Sequence, residues 1–191
     1  MNKTITDAIK THKRLVCEFE STGIDTIAKA ARMITNCLKK NGCLYLCGNG
    51  GSAADCQHIA GEFVGRFKRR RKSLPAVALS TDTSVITCIG NDYSFGDIFS
   101  RQVEALVNAG DILWAFSTSG SSPNVLAAAK LAKRKGATVL AFTGRPKSKL
   151  QRIADLCLCV DAPSTAATQE IHQLAYHIIC DLVEQNFCKS R

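Results

Sequence analysis

The 191-residue sequence predicts a doubly wound α/β domain built on one parallel sheet. Three observations carry this. Five short apolar runs, 43–47, 75–79, 112–116, 138–142 and 156–160, are near-continuous rather than alternating, as strands buried on both faces require. Helical patterns separate them, at about 97–108, 123–135 and 149–154, so right-handed crossovers are the default. The segments after the first four runs are rich in hydroxyl residues or glycine, and in such sheets ligands gather beyond the carboxyl ends of the strands.

Before the first strand, residues 3–20 and 24–41 place apolar side chains at helical spacing. Ile5, Ile9, Val16 and Phe19 mark the first helix, and Ile27, Ala31, Ile34 and Leu38 the second. Ser21-Thr22-Gly23 offers a stop for one and a start for the next. This hairpin lies outside the sheet, suited to an oligomer surface or to packing on its own sheet. The strand at 43–47 leads into Gly48-Asn49-Gly50-Gly51-Ser52 and then into a helix. Glycines allow close backbone approach, and free N–H groups at a helix start attract an anion. Further along that helix His58 and Glu62 are four residues apart and share a face.

The second strand runs into Ser80-Thr81-Asp82-Thr83-Ser84, and the fourth into Thr143-Gly144-Arg145-Pro146. The third is the strongest signal: Ser117 to Ser122 holds five hydroxyl residues in six positions, before a proline suited to a first helical turn. Hydroxyls and helix N–H groups together suit a phosphate monoester, although hydroxyl residues also simply cap helices. The segment 164–187 reads as a long helix with Ile171, Leu174, Ile178 and Leu182 on its apolar side. Gln169, Gln173 and His177 fall at successive four-residue steps. His177 sits towards the interior of an apolar stretch, where it is either a satisfied core histidine or a functional one. His172 has a weaker case, and His12 reads as a surface residue.

Composition narrows the classes. The length suits one domain, and 46% hydrophobic residues suit an ordinary globular protein without a membrane span. The opening residues lack the apolar core of a secretory signal, so the protein reads as cytosolic. Of ten cysteines, Cys43, Cys47, Cys88, Cys157, Cys159 and Cys180 lie in apolar runs, and no C-x-x-C pair occurs. These read as reduced, core-filling thiols. The net charge of +9 is partly concentrated in Lys68-Arg69-Arg70-Arg71-Lys72. That block raises nucleic-acid binding, but no aromatic residues interleave it as a stacking surface requires. Neither G-x-G-x-x-G nor G-x-x-x-x-G-K occurs, so a nucleotide cofactor is not expected.

Four stretches then match a known pattern: CGNGGSAADCQHIAGEFVGRF (47–67), ND (91–92), STSGSSPNVL (117–126) and TQEIHQLAYHIICDLVE (168–184). Through them the chain resembles the sugar-isomerase (SIS) family along essentially its whole length, and within it the enzymes that isomerise heptose phosphates. The resemblance implies a flavodoxin-like five-stranded sheet and a single SIS domain over 1–191, with the hairpin at 1–41 and the core at 43–187. It implies conversion of sedoheptulose 7-phosphate to D-glycero-D-manno-heptose 7-phosphate, the first step towards nucleotide-activated heptose. Asn49, Gly50, Gly51 and Ser52 would then hold the substrate, and Ser117, Thr118, Ser119 and Ser122 its phosphate. Asn91, Asp92 and Gln169 would also touch it. Glu62 and His177 match the acid/base pair. His58, Glu62, Gln169 and His177 match a divalent metal site, usually zinc, and the family's active sites lie between subunits of a homotetramer.

The residue types suit that chemistry. Moving a proton between adjacent carbons through an enediol takes a carboxylate base, a second group serving the oxygens, and something to steady enediolate charge. Glutamine is an uncommon zinc ligand and thiolates are absent, so metal affinity should be moderate. The alternatives are a regulatory SIS relative without catalysis and a sugar-phosphate sensor. By the same resemblance, the regulatory relatives look different where Glu62 and His177 stand, and the sequence excludes the sensor only through that pair.

Overall fold

A computed structural model describes residues 1–188. Helices α1 (Asn2–Thr22) and α2 (Ile24–Lys39) form the expected hairpin, with Gly23 alone as the break. Ser21 and Thr22 stay helical, their hydroxyls donating to the Glu18 carbonyl. The five strands are β1 (Leu44–Cys47), β2 (Ala76–Ala78), β3 (Ile112–Ser117), β4 (Thr138–Thr143) and β5 (Leu156–Cys159). All pair in parallel in the order β2-β1-β3-β4-β5.

The central strands β3 and β4 bury both faces, as their continuous apolar character requires, whereas Val77 on the edge strand β2 is exposed. On one face Leu46, Trp114, Phe116, Leu140 and Phe142 pack against α2, α3 (Gly51–Val64) and α8 (Thr165–Gln185). On the other, Leu113, Ala115, Val139 and Ala141 meet α4 (Thr83–Asp92), α5 (Ser100–Leu106), α6 (Pro123–Arg134) and α7 (Lys149–Ile153). Alanines 128, 129 and 132 bring α6 close to the sheet. The hairpin is not detached: Leu15, Ile27, Ile34 and Leu38 join the first core beside α8 and β5.

Four expectations need correction. Residues 83–92 form a helix where only a hydroxyl-rich loop was expected, started by Asp82, whose carboxylate accepts the Val85 N–H. The stretch 97–108 is not one helix: it begins as a 3-10 turn (Phe95–Asp97), and α5 covers only Ser100–Leu106. The buried stripe of α8 runs through Ile171, Ala175, Ile179 and Val183, and Ile178 is 38% exposed. That rotation makes His172, not His177, the core histidine. Cys88 is exposed, whereas Cys37, Cys47, Cys56 and Cys180 are buried. Burial pushes the Cys47 thiol up to about 12, consistent with small apolar fillers. All ten cysteines are unpaired. Among the described residues no helix is long and apolar enough to cross a membrane.

His172 is fully buried between Phe116 and Phe142, with its Nε2 3.2 Å from the Thr143 carbonyl oxygen it donates to. Its Nδ1 has no partner. Burial lowers its pKa to about 4, partly opposed by that carbonyl. The neutral ring is therefore favoured in the fold, and the unfolded chain takes up a proton first as pH falls. The histidine's contribution is complete above pH 6.5 and is lost between 6.5 and about 4. Urea unfolding across that range should show a loss of up to about 3 kcal/mol that is absent from His172→Gln. An identical pH slope in the variant would refute the assignment.

Candidate active site

The loops after β1 and β3 leave towards opposite faces of the sheet, so a crevice opens between them at the carboxyl edge. A cavity of about 320 Å³ fills it, lined by the 49–52 loop, Ser117, Thr118, Ser122, Thr165 and Gln169. The hydroxyls form a cluster. Ser117 Oγ lies 2.9 Å from Ser122 Oγ and 3.3 Å from Ser119 Oγ. Capping explains Ser148 and Ser164, whose side chains accept N–H groups of their own helices. It does not explain Ser122 at the start of α6, nor does any side chain cap α3 at Gly50. The Ser122 hydroxyl and the uncapped start of α6 can meet an anion.

Two glycines sit where a side chain would meet a neighbour, and only at Gly120 does the backbone itself require one. Gly120 adopts φ +62°, and a Cβ there would fall 2.3 Å from Ser148 Oγ. A Cβ on Gly51 would fall 2.7 Å from the Gln169 amide nitrogen, which itself sits 3.3 Å from Ser52 Oγ. A residue unremarked in the sequence completes the crevice. Asn124 and Asn49 exchange two amide hydrogen bonds of 2.9 Å, joining α6 to the first loop. They stand 75 positions apart, and only the Asn-after-Pro at the helix start hinted at it.

Further along α3 and α8 lies a second cluster. His58 Nε2 is 3.0 Å from Glu62 Oε1 and 3.5 Å from His177 Nε2. One ligand atom from each of the three falls within a 4.8 Å group. His58 Nδ1 is 3.1 Å from the Tyr176 hydroxyl, which reaches Asp55 Oδ1 at 3.4 Å. With the hydroxyl donating to Asp55, His58 Nδ1–H donates to Tyr176 and Nε2 presents a lone pair. An imidazole fixed from behind in this way is the usual arrangement of a metal ligand. Neither Asp55 nor Tyr176 stood out in the sequence, although Asp55, His58 and Glu62 share a helical face. Burial raises the Asp55 carboxyl, partly opposed by Tyr176 and His58. For His177, burial lowers the pKa, with the His58 and Lys68 charges adding to it and Glu62 opposing. Its imidazole is therefore neutral near pH 7.

The site residues expected from sequence thus fall into three groups. Asn49, Gly50, Gly51, Ser52, Ser117, Thr118, Ser122 and Gln169 line the cavity, with Ser119 in its hydroxyl cluster. His58, Glu62 and His177 converge in the second cluster, while Gln169 hydrogen-bonds Ser52 instead. Asn91 and Asp92 are exposed at the end of α4, bonded to each other at 2.8 Å, and do not line the cavity.

The shape of the hydroxyl loop is testable. Gly120→Ala should cost about 1–3 kcal/mol of stability from backbone strain and displacement of Ser148. It should also abolish the rise in melting temperature given by inorganic phosphate. A wild-type phosphate response would show that the loop's shape is not what holds the anion.

Comparison with known proteins gives a consistent picture. The family model described as "SIS domain" matches residues 9–144. A phosphoheptose isomerase of Burkholderia pseudomallei is 52% identical over 161 residues, 84% of this chain and 82% of the relative. One of Campylobacter jejuni is 48% identical, covering 84% and 87%. The solved phosphoheptose isomerase of Neisseria gonorrhoeae superposes with a TM-score of 0.91 at 41% identity, covering 96% of this chain and 98% of that one. This chain belongs to the SIS-domain family, among the phosphoheptose isomerases.

Proposed function

We propose that the protein is an aldose–ketose isomerase converting sedoheptulose 7-phosphate into D-glycero-D-manno-heptose 7-phosphate. The observation that carries this reading is the pairing of Glu62, near the end of α3, with His177 in the middle of α8, with a hydroxyl-lined cavity at the starts of both helices. Ser52 and Glu62 are ten residues apart on α3, about 15 Å at the helical rise of 1.5 Å per residue. The substrate has the same polarity: its phosphate is on C7 and its reacting carbons are C1 and C2, at opposite ends.

The phosphate enters the cup of Ser117, Thr118, Ser119 and Ser122, and Ser52, Gln169 and the 49–51 backbone meet the sugar. Binding at this remote end fixes the orientation of the reacting end. Glu62 takes a proton from C1 and returns it to C2 through the enediol. Neutral His177 gives and takes the protons of O1 and O2. Zinc, when bound, supplies positive charge that steadies negative charge on those oxygens. His58, Glu62 and His177 fit that ion, because three acceptor atoms converge there and Tyr176 orients His58. Gln169 would join them only by leaving Ser52. Nothing favours the regulatory or sensor alternatives, since both members of the acid/base pair are present and adjacent.

The protein acts as a homotetramer in the cytosol. Exposed Ile5 and Ile9 on α1 and the off-cavity position of Asn91 and Asp92 support shared sites between subunits. Ten unpaired cysteines support a reducing compartment. The basic block is mostly engaged within the chain, with Lys68 and Arg69 paired to Asp181.

Formation of the aldoheptose phosphate can be followed by NMR. Glu62→Gln and His177→Gln should each lower kcat at least about 100-fold. Turnover should fall on chelation and return with zinc. Wild-type activity that survives both substitutions would sink the assignment. Light scattering should give four times the 20.6 kDa chain mass, and a monomeric active enzyme would refute shared sites.

A further inference from the structure

The isomerase reading leaves unexplained how His177 is held. Catalytic imidazoles are usually oriented by a group hydrogen-bonded to the second ring nitrogen. Among the described residues the recorded hydrogen-bond contact of His177 is Nε2 to His58, so its Nδ1 lacks such an orienting group. Tyr176 and His58 meet its ring edge-on, with centroids 4.7 and 4.9 Å away, and of its three aromatic neighbours only Phe67 stacks on its flat face, with centroids 5.5 Å apart and planes 23° from parallel.

We propose that Phe67 is a positioning residue of His177, and that Lys68, Arg69 and Arg71 of the basic segment following it form the bracket fixing Phe67. This rests on His177 serving the reaction proposed above. The bracket is built from the buried carboxylate of Glu184, which is 1% exposed. It accepts the backbone N–H groups of three consecutive residues, Phe67, Lys68 and Arg69, at 2.9, 2.8 and 2.8 Å. Three donors to one carboxylate define the path of the chain, because leaving any of them unpaired in a buried setting is costly. Arg71 locks the other side. Its side chain is buried with Nε 3.5 Å from Glu184, while its guanidinium donates to the carbonyls of Glu62 and Gly65 at the end of α3. Asp181 takes Lys68 and Arg69, and the Lys68 ammonium lies 5.0 Å from the Phe67 ring centroid.

The run of cations therefore ties the end of α3, which carries Glu62, to the helix that carries His177. Phe67 is where that tie touches the imidazole.

Phe67→Leu retains apolar bulk and removes the flat face. Its kcat should fall about 10- to 100-fold, the scale expected of a misplaced catalytic group. KM should stay within about twofold, because the phosphate cup is untouched. Phe67→Tyr should keep kcat within about threefold, and Arg70→Ala, outside the bracket, should match wild type. Independently of turnover, the His177 ring protons of metal-free protein should shift in Phe67→Leu, which leaves only the edge contacts of Tyr176 and His58, and should keep their wild-type positions in Phe67→Tyr. Wild-type kcat in Phe67→Leu, or kcat and KM worsening together, would overturn the positioning role and leave the isomerase intact. Wild-type protein inert towards the heptulose phosphate would overturn the isomerase reading itself.

Discussion

The position of β1 between β2 and β3 is the constraint from which the active edge follows. The chain leaves β1 for α3 on one face and leaves β3 for α6 on the other. Two neighbouring parallel strands with diverging crossovers cannot close the gap between their loops. The Asn49–Asn124 amide pair spans the gap without filling it. Every polar group at the cavity end, from Ser52 to Ser122, is placed by that divergence.

Helix α8 supplies the second half of the arrangement. It returns across the sheet face beside α3, so residues at matching heights on the two helices meet. Gln169 meets Ser52, Tyr176 meets Asp55 and His58, and His177 meets His58 and Phe67. The apolar contacts of Ile171, Ala175 and Ile179 with Ile59 and the sheet hold this pairing. The His58, Glu62 and His177 cluster thus lies along one seam between two helices, each of which buries another face against the sheet.

Much of this was legible in the sequence because the signals were local. Continuous apolar runs marked all five strands, including the edge strand β2, where Val77 is exposed. The cavity loops could be read because glycine and hydroxyl residues cluster there. What escaped has physical causes. Helix α4 begins in Thr-Ser, and of its residues only Ile89 is buried, too weak a stripe to outweigh loop-like composition. The buried face of α8 uses Ala175, Tyr176 and His172, which a count of aliphatic residues ignores, and so the stripe was placed one step out of phase. Asn124, Tyr176 and Glu184 act through partners 75 to 121 positions away, and spacing along one chain carries no trace of such pairs.

The third loop has the composition of a flexible linker, Ser-Thr-Ser-Gly-Ser-Ser, yet it is tied at almost every residue. Gly120 donates to the Ser117 carbonyl and accepts from Leu150, Thr118 accepts from Gly144, and Ser119 accepts from Ser121. Ser148 closes over the glycine. A binding loop already fixed in one shape loses little conformational freedom when its ligand arrives, so more of the contact energy appears as affinity. Under the proposed function the same rigidity limits choice: a cup that cannot reshape itself would select for the tetrahedral geometry of a phosphate and leave discrimination among sugars to the opposite end of the crevice.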